Sequence, residues 1–302
     1  MKRAAIVTAI LFAVLGGFVY LRPLVVYDVS THLWLLVRGF RNEFVEIGGN
    51  RVHSMIGGEG PPLVLIHGLA SRGEDYALIM PTLAKHHRLY VPDLLGFGRS
   101  ARPDIDYSVA SEVEMIRGYF DAKHIERADV MAASMGGWIA LKFAADHPER
   151  VRRLVLVDSA GFPFDTNMTP TTFTPRNAAE LRALIALQTD RVKWLPGFIA
   201  RDMLRQNRDH AWILQRSLAS MLTGRDQMEG RTQRVTMPVL LVWGEKDRIV
   251  PLAIGRRMQH ELHDARLVTY PECGHLAIVE CRGKLLPEVE RFLRPASERR
   301  TR

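Results

Sequence analysis

The chain has 302 residues, 47% of them hydrophobic, and its 41 basic and 33 acidic residues give a formal net charge of +8. Two cysteines are too few for a disulfide framework. The positive balance is compatible with anionic surfaces, but no nucleic-acid-binding motif accompanies it, so we expect no nucleic-acid partner.

The N-terminus carries a long uncharged stretch, residues 4–21, directly after Lys2 and Arg3. As a helix this stretch would span about 27 Å, close to the thickness of a bilayer's hydrocarbon core. A secretory signal peptide is the competing interpretation. No small-x-small cleavage site follows, so an uncleaved membrane anchor is favoured. The basic start predicts that the N-terminus lies inside and the rest of the chain outside.

Residues 24–40 are largely apolar but include Asp28, His32 and Trp34. They fit a segment that lies along the membrane interface, and equally a helix that leads into the next domain. We therefore assign residues 1–41 to an anchor and juxtamembrane segment.

Short apolar runs separated by turns or helical stretches follow. Residues 43–47 and 52–56 flank Gly48-Gly49-Asn50 and predict a hairpin. Continuously apolar runs indicate strands covered on both faces, as in a parallel sheet. These runs are residues 63–66, 88–91, 128–131, 153–157, 239–242 and 267–270. The alternation of strand and helix predicts a doubly wound α/β sheet with its site at the carboxyl ends of the strands.

Ser134 lies between an apolar strand and a helical stretch, in the run VMAASMGG of residues 130–137. A nucleophilic serine on such a sharp turn needs small neighbours, because its backbone is strained and crowded. Ala132, Gly136 and Gly137 are small, although Ala132 departs from the usual Gly-x-Ser-x-Gly.

Two further polar residues follow strands: Asp247 after residues 239–242, and His275 after residues 267–270. Serine, aspartate and histidine in this chain order resemble the triad of the α/β-hydrolase family, and the resemblance covers about residues 43–294. Four motifs carry it: His67-Gly68, Asp93-x-x-Gly96-x-Gly98-x-Ser100, the turn at Ser134, and Gly244-x-x-Asp247 with Gly274-His275.

The resemblance implies a role for each of these residues. Ser134 would be the nucleophile, His275 its general base, and Asp247 the residue that orients the imidazole. Asp158, after an earlier strand, is a rival for the acid, since some members of the family place theirs there. The oxyanion donors would be the backbone N–H groups of Leu69 and Met135. The reaction needs only water, so no metal and no cofactor is expected.

The resemblance also divides the chain. Residues 42–160 and 236–296 would form the α/β-hydrolase core, residues 161–235 a helical cap, and residues 297–302 a basic tail. The cap's apolar side chains would roof the substrate site, which makes Trp194, Phe198 and the core residue Leu276 candidate substrate-binding residues. Cys273 and Cys281 could pair outside the cytoplasm, or they could be packing residues.

Several reactions share this constellation. Carbon–carbon bond hydrolases of the family typically have asparagine before the serine and tryptophan after the histidine, whereas this chain has Ala133 and Leu276. The chain is more similar to bacterial membrane-associated esterases and monoacylglycerol-lipase-like enzymes. This resemblance predicts an inner-membrane carboxylester hydrolase with a periplasmic catalytic domain, acting on a small or lipid-like ester. A carbon–carbon hydrolase, an amidase, a perhydrolase and a non-catalytic hydrophobic-ligand-binding protein remain alternatives. The oligomeric state is not indicated.

Overall fold

A computed structural model describes residues 8, 16–189, 191 and 194–294. Most of the predicted anchor and all of the basic tail lie outside these residues, so both stay predictions. Residues 16–21 are helical. Among the helices of the described part, none combines the length and the apolar character needed to cross a bilayer.

The described strands form one eight-stranded sheet in the order β1-β2-β4-β3-β5-β6-β7-β8. Strand β2 is antiparallel to both of its neighbours, and the pairs from β4 onward are parallel. The strands are β1 (Arg41–Ile47), β2 (Asn50–Gly57), β3 (Pro62–Ile66), β4 (Arg88–Pro92), β5 (Ala128–Ala133), β6 (Val151–Val157), β7 (Val239–Gly244) and β8 (Ala265–Tyr270).

Helices precede the sheet, cover its faces and form an insertion between β6 and β7. They are α1 (Pro23–Val37), α2 (Met80–Leu83), α3 (Val109–Ala122), α4 (Met135–Asp146), α5 (Ala178–Gln188), α6 (Gly197–Leu222), α7 (Leu252–Glu261), α8 (Ala277–Glu280) and α9 (Arg282–Leu293). Short 3₁₀ turns span Gly73–Tyr76 and Pro148–Arg150. Only α5 and α6, and no strand, lie in the described part of the insertion.

The central strands bury both of their faces, as their continuous apolar runs predict. Val130 and Leu156 pack into the core on one side of the sheet, whereas Met131 and Val155 pack into the core on the other. Successive side chains of a strand point to opposite faces. Helices on both faces therefore favour apolar residues on both sides of these strands, and the doubly wound architecture is confirmed.

Helix α1 packs against the insertion and the core through polar contacts. The buried carboxylate of Asp202, on α6, accepts hydrogen bonds from Arg22 Nε at 3.2 Å and from the backbone N–H of Leu24 at 3.1 Å. Farther along the helix, Asp28 pairs with Arg72 and His32 with the buried Glu74. The helix thus leads into the domain and is fixed to it.

The opposite side of α1 is apolar and exposed. Its exposed large side chains are Tyr27, Val29, Leu33, Trp34, Leu36 and Val37. Apart from Leu35, which is buried in the core, the helix turns polar groups towards the protein and large apolar groups outward, the reverse of an ordinary surface helix.

Glu112, on α3, should make the stability of the fold depend on pH. Its carboxylate accepts the backbone N–H of Leu95 at 3.2 Å, and its second oxygen is buried without a hydrogen-bond partner among the described residues. Burial raises the pKa of Glu112 from 4.5 to about 8. The folded protein therefore binds the proton of Glu112 more tightly than the unfolded chain does. This difference adds to the free energy of unfolding below about pH 4.5, and the contribution is lost as the pH rises from about 4.5 to about 8.

We expect Glu112→Gln, which cannot ionise, to gain stability relative to the unsubstituted protein as the pH rises. Between pH 5 and pH 8 the difference in free energy of unfolding should move in favour of the variant by at least about 1 kcal/mol. Urea denaturation at three pH values measures it. A difference that stays constant with pH would contradict the assignment.

Candidate active site

The turn between β5 and α4 places Ser134 in a left-handed backbone conformation, with φ 53° and ψ −122°. Close contacts around the turn explain why the residues next to Ser134 have small side chains. A side chain at Gly136 would collide with the backbone carbonyls of Ile66 and His67, and one at Gly137 would collide with Ser159. The turn is held to the end of the neighbouring strand β6, because the N–H of Ser134 donates to the carbonyl of Val157 at 3.0 Å.

Three side chains form a continuous hydrogen-bonded chain. His275 Nε2 lies 2.9 Å from Ser134 Oγ, and His275 Nδ1 lies 2.8 Å from Asp247 Oδ2. A carboxylate only accepts hydrogen bonds, so Nδ1 carries the hydrogen and Nε2 is left to accept the serine hydroxyl. The structure thus brings together the three predicted residues in an order that can remove a proton from Ser134 Oγ.

Asp247 has a second function in its own loop. Its other oxygen, Oδ1, accepts the backbone N–H groups of Ile249 and Val250 at 2.8 and 2.9 Å. The carboxylate therefore caps the turn that follows β7 while it also holds His275.

Asp158 takes a different position from the one a catalytic acid needs. Its two oxygens accept the backbone N–H groups of Gly244 at 2.8 Å and Ala277 at 3.2 Å. Burial, and then the nearby charge of Asp247, raise the pKa of Asp158 well above its usual range. Asp158 therefore joins the loops that follow β7 and β8, and it is Asp247 that contacts the imidazole.

The loop after β3 is organised by a neutral histidine. The backbone N–H of Leu94 donates to His67 Nε2 at 3.0 Å, so His67 Nδ1 carries the hydrogen and donates to the carbonyl of Gly68 at 2.9 Å. Burial lowers the pKa of His67 and keeps the ring uncharged. His67 therefore shapes the loop that leads to Leu69.

Asp93 is a structural anchor beside this loop. Its carboxylate accepts the backbone N–H groups of Gly73 at 2.7 Å and Arg99 at 2.8 Å, and it pairs with His53 Nδ1 at 2.7 Å. Burial alone would raise the pKa of Asp93, but the hydrogen bond and charge of His53 lower it below its usual range. The ionised carboxylate thus holds three chain segments together.

An apolar cavity of about 330 Å³ opens above Ser134. Leu69 and Ser134 both line it, and Met135 begins α4, where the first N–H groups have no partner inside the helix. Leu69 thus shares the cavity with Ser134, and Met135 follows Ser134 directly in the chain; the oxyanion role of their N–H groups stays a prediction. The remaining wall is mostly aromatic and aliphatic, from residues Trp138, Phe162, Phe164, Met168, Phe173, Leu218, Met221, Leu222, Ile249 and Val250.

The structure places two of the three candidate substrate-binding residues elsewhere. Trp194 is 78% exposed, and Phe198 stacks on Tyr20 with ring centroids 5.2 Å apart. Neither lines the cavity, whose insertion-side wall includes Phe173 and Leu218. Apolar composition does not tell which face of an insertion helix turns inward, so the sequence could not choose among these residues. Leu276 lies beside His275 in a smaller cavity of about 100 Å³.

Cys273 and Cys281 are joined by a disulfide and are both buried. Their Cα atoms are 6.2 Å apart, within the usual span of such a bond. The bond closes the segment that carries His275, so of the two interpretations of these cysteines the structure has the paired one.

The chain is similar in sequence to known hydrolases. Residues 61–280 match the family described as alpha/beta hydrolase fold. The chain is 34% identical to a 2-hydroxymuconate semialdehyde hydrolase of Pseudomonas sp. (strain CF600), over 82% of this chain and 92% of that protein. It is 30% identical to a pimeloyl-[acyl-carrier protein] methyl ester esterase of Nitrosomonas europaea, over 74% of this chain and 92% of that protein.

A solved structure covers the whole length. A bacterial membrane phospholipase A superposes with a TM-score of 0.83 over 100% of both chains, at 23% identity. At that identity the likeness concerns the fold alone.

The disulfide should contribute measurably to stability. Replacing both cysteines, as Cys273→Ala with Cys281→Ala, frees the unfolded chain from a short closed loop and should lower the free energy of unfolding by about 2–3 kcal/mol. Denaturant unfolding with and without a reductant measures it. The reductant should destabilise the unsubstituted protein and leave the double variant unchanged; equal responses would contradict a disulfide in the folded protein.

Proposed function

Because this chain belongs to the α/β-hydrolase family, we propose that it is a serine hydrolase that cleaves carboxylic esters of apolar acids. The observation that carries the proposal is the hydrogen-bonded chain Ser134–His275–Asp247 at the floor of an apolar cavity. Such a cavity suits an acyl group, and the three hydrogen-bonded residues supply the nucleophile and its base.

The proposed reaction has two halves. His275 Nε2 takes the hydroxyl proton as Ser134 Oγ attacks the ester carbonyl, and the N–H groups of Leu69 and Met135 stabilise the oxyanion. The imidazolium then gives its proton to the leaving alcohol, and Asp247 stabilises the positive ring. In the second half His275 activates water, which releases the acid from Ser134.

A carbon–carbon bond hydrolase is the second candidate, favoured by the 34% identical relative that acts on 2-hydroxymuconate semialdehyde. That name denotes a carboxylate, which a binding site would pair with a cation or with several hydrogen-bond donors. The described residues lining the cavity above Ser134 include no arginine, lysine or histidine, and they include Asp165. The cavity's charge therefore supports the ester. So does Leu276, which stands where the carbon–carbon hydrolases typically have tryptophan.

The ester proposal predicts which substrates react. With p-nitrophenyl esters of increasing acyl length, we expect kcat/KM to peak at medium or long chains, because these fill the apolar cavity. Ser134→Ala should abolish the activity, and Asp247→Asn should lower kcat by about ten-thousandfold. A fluorophosphonate should label Ser134 covalently, which a protein that only binds ligands would not permit.

The carbon–carbon candidate is tested with 2-hydroxymuconate semialdehyde as the substrate. The loss of absorbance of this compound measures its turnover. Faster turnover of this compound than of any ester would overturn the ester proposal. Turnover that survives Ser134→Ala would overturn the mechanism for both.

The proposal includes attachment to a bacterial inner membrane, with the catalytic domain in the periplasm. The uncharged stretch 4–21, the helical residues 16–21 and the exposed apolar side of α1 support it. After cell fractionation, we expect the full chain in the membrane pellet and its release by detergent but not by high salt. Protease added to intact spheroplasts should digest the domain. Recovery in the soluble fraction, or protection from the protease, would contradict this placement.

A further inference from the structure

The end of helix α5 in the insertion contacts both loops that carry the acid and the base. The carbonyl of Gln188 accepts the backbone N–H of His275 at 3.0 Å, and the carbonyl of Ala186 accepts Arg248 Nη1 at 2.7 Å. Arg248 directly follows Asp247. The last carbonyls of a helix have no partners inside it, so they are available to neighbouring segments. The insertion is thereby joined to the two loops at their functional residues.

Glu280 reinforces this junction from the other side. Its Oε2 accepts the backbone N–H of Gly274 at 2.6 Å, and its Oε1 accepts the hydroxyl of Thr189, the residue after α5. One carboxylate therefore connects the insertion to Gly274, the residue immediately before His275. The sequence had not singled out Glu280 or Thr189, because no motif links residues 91 positions apart.

The His275 segment is tightly confined around this carboxylate. The disulfide joins Cys273 and Cys281, which immediately precede Gly274 and follow Glu280. An added Cβ at Gly274 would lie 2.7 Å from the carbonyl oxygen of Gln188. The backbone of the insertion therefore lies so close to this loop that only glycine fits at residue 274. A shift of the insertion must therefore be transmitted to the histidine segment.

We propose that Glu280 is a positioning residue that couples the insertion to the alignment of His275 with Ser134 Oγ. The inference rests on the proposed function, in which His275 acts as the base. The same insertion supplies Phe173 and Leu218 to the wall of the substrate cavity. The insertion that forms this wall is thus joined to the segment that holds the base in line with Ser134 Oγ.

The chemistry of the junction defines informative substitutions. Glu280→Ala removes both acceptors and leaves the N–H of Gly274 without its partner. Glu280→Gln keeps both contacts, since its amide oxygen accepts from Gly274 and its amide N–H donates to the Thr189 hydroxyl. Thr189→Val breaks the junction from the insertion side alone. Glu272→Ala is the matched control, because Glu272 lies on the same segment and pairs with Lys284 near the surface.

The experiment measures kcat and KM for a p-nitrophenyl ester, and the rate of Ser134 labelling by a fluorophosphonate, in the full-length protein. We expect Glu280→Ala to lower kcat and the labelling rate by about ten- to a hundredfold, because a small displacement of the base is costly to the reaction. KM should stay within about twofold, since the loss falls on the transition state. Glu280→Gln should stay within about threefold of the unsubstituted protein, because both hydrogen bonds persist. Glu272→Ala should be unchanged.

The coupling itself is tested by combining the two sides of the junction. If Thr189 and Glu280 act through their contact, the double variant Thr189→Val with Glu280→Ala should be about as slow as Glu280→Ala alone. Losses that multiply in the double variant would overturn the coupling. A labelling rate of Glu280→Ala within about twofold of the unsubstituted protein would overturn the positioning role.

Two further outcomes separate this inference from the proposed function. If Glu280→Ala does not fold, the test uses Thr189→Val, which removes the contact from the insertion side. A kcat of Thr189→Val as high as that of the unsubstituted protein then overturns the proposal. If the unsubstituted protein is not labelled at Ser134, the serine mechanism fails and the inference fails with it. If labelling is rapid but esters are not cleaved, only the ester assignment fails, and the labelling rates of the variants still decide the role of Glu280.

Discussion

The left-handed backbone at Ser134 is the constraint on which the rest of the site depends. A chain that passes from β5 to α4 within one residue presents the hydroxyl and the first free N–H groups of the helix to the same space. This turn packs against the end of β3, so Gly136 lies directly on the carbonyls of Ile66 and His67. The close approach brings the loop of Leu69 beside the nucleophile. The small residues around Ser134 therefore build the site as well as permit the strained conformation.

The charges of the site follow from two carboxylates at the ends of adjacent strands. Asp158 follows β6 and Asp247 follows β7, and both are buried. Burial and the nearby charge of Asp247 both raise the pKa of Asp158. Backbone N–H groups occupy both oxygens of Asp158, while Asp247 directs one oxygen to His275. Asp247 thus stands beside the ring that receives the proton, and Asp158 holds the loops at the strand ends together.

The insertion and α1 surround this core in an unusual way. Both are attached by polar contacts to buried or partly buried carboxylates, Asp202 and Glu74 for α1 and Glu280 for the insertion. Apolar packing is non-directional, whereas such hydrogen bonds fix a definite register. The arrangement leaves an apolar cavity beneath the insertion and an apolar surface on the outer side of α1. Both features are consistent with a hydrolase that acts on lipid-like esters beside a membrane.

The sheet and the residues Ser134, Asp247 and His275 could be predicted from the sequence alone. Continuously apolar strands, glycines at crowded turns and polar residues just after strands are local patterns, and parallel strands bring their ends together whatever the intervening chain does. The folded structure was needed to show which insertion residues line the cavity and that Glu280 reaches the loop of His275. Those contacts join segments far apart in the chain, and they depend on how helices α5 and α6 are rotated and placed above the sheet. No local pattern records that placement, because an apolar side chain is equally suited to the insertion's own core, to the cavity and to an exposed interface.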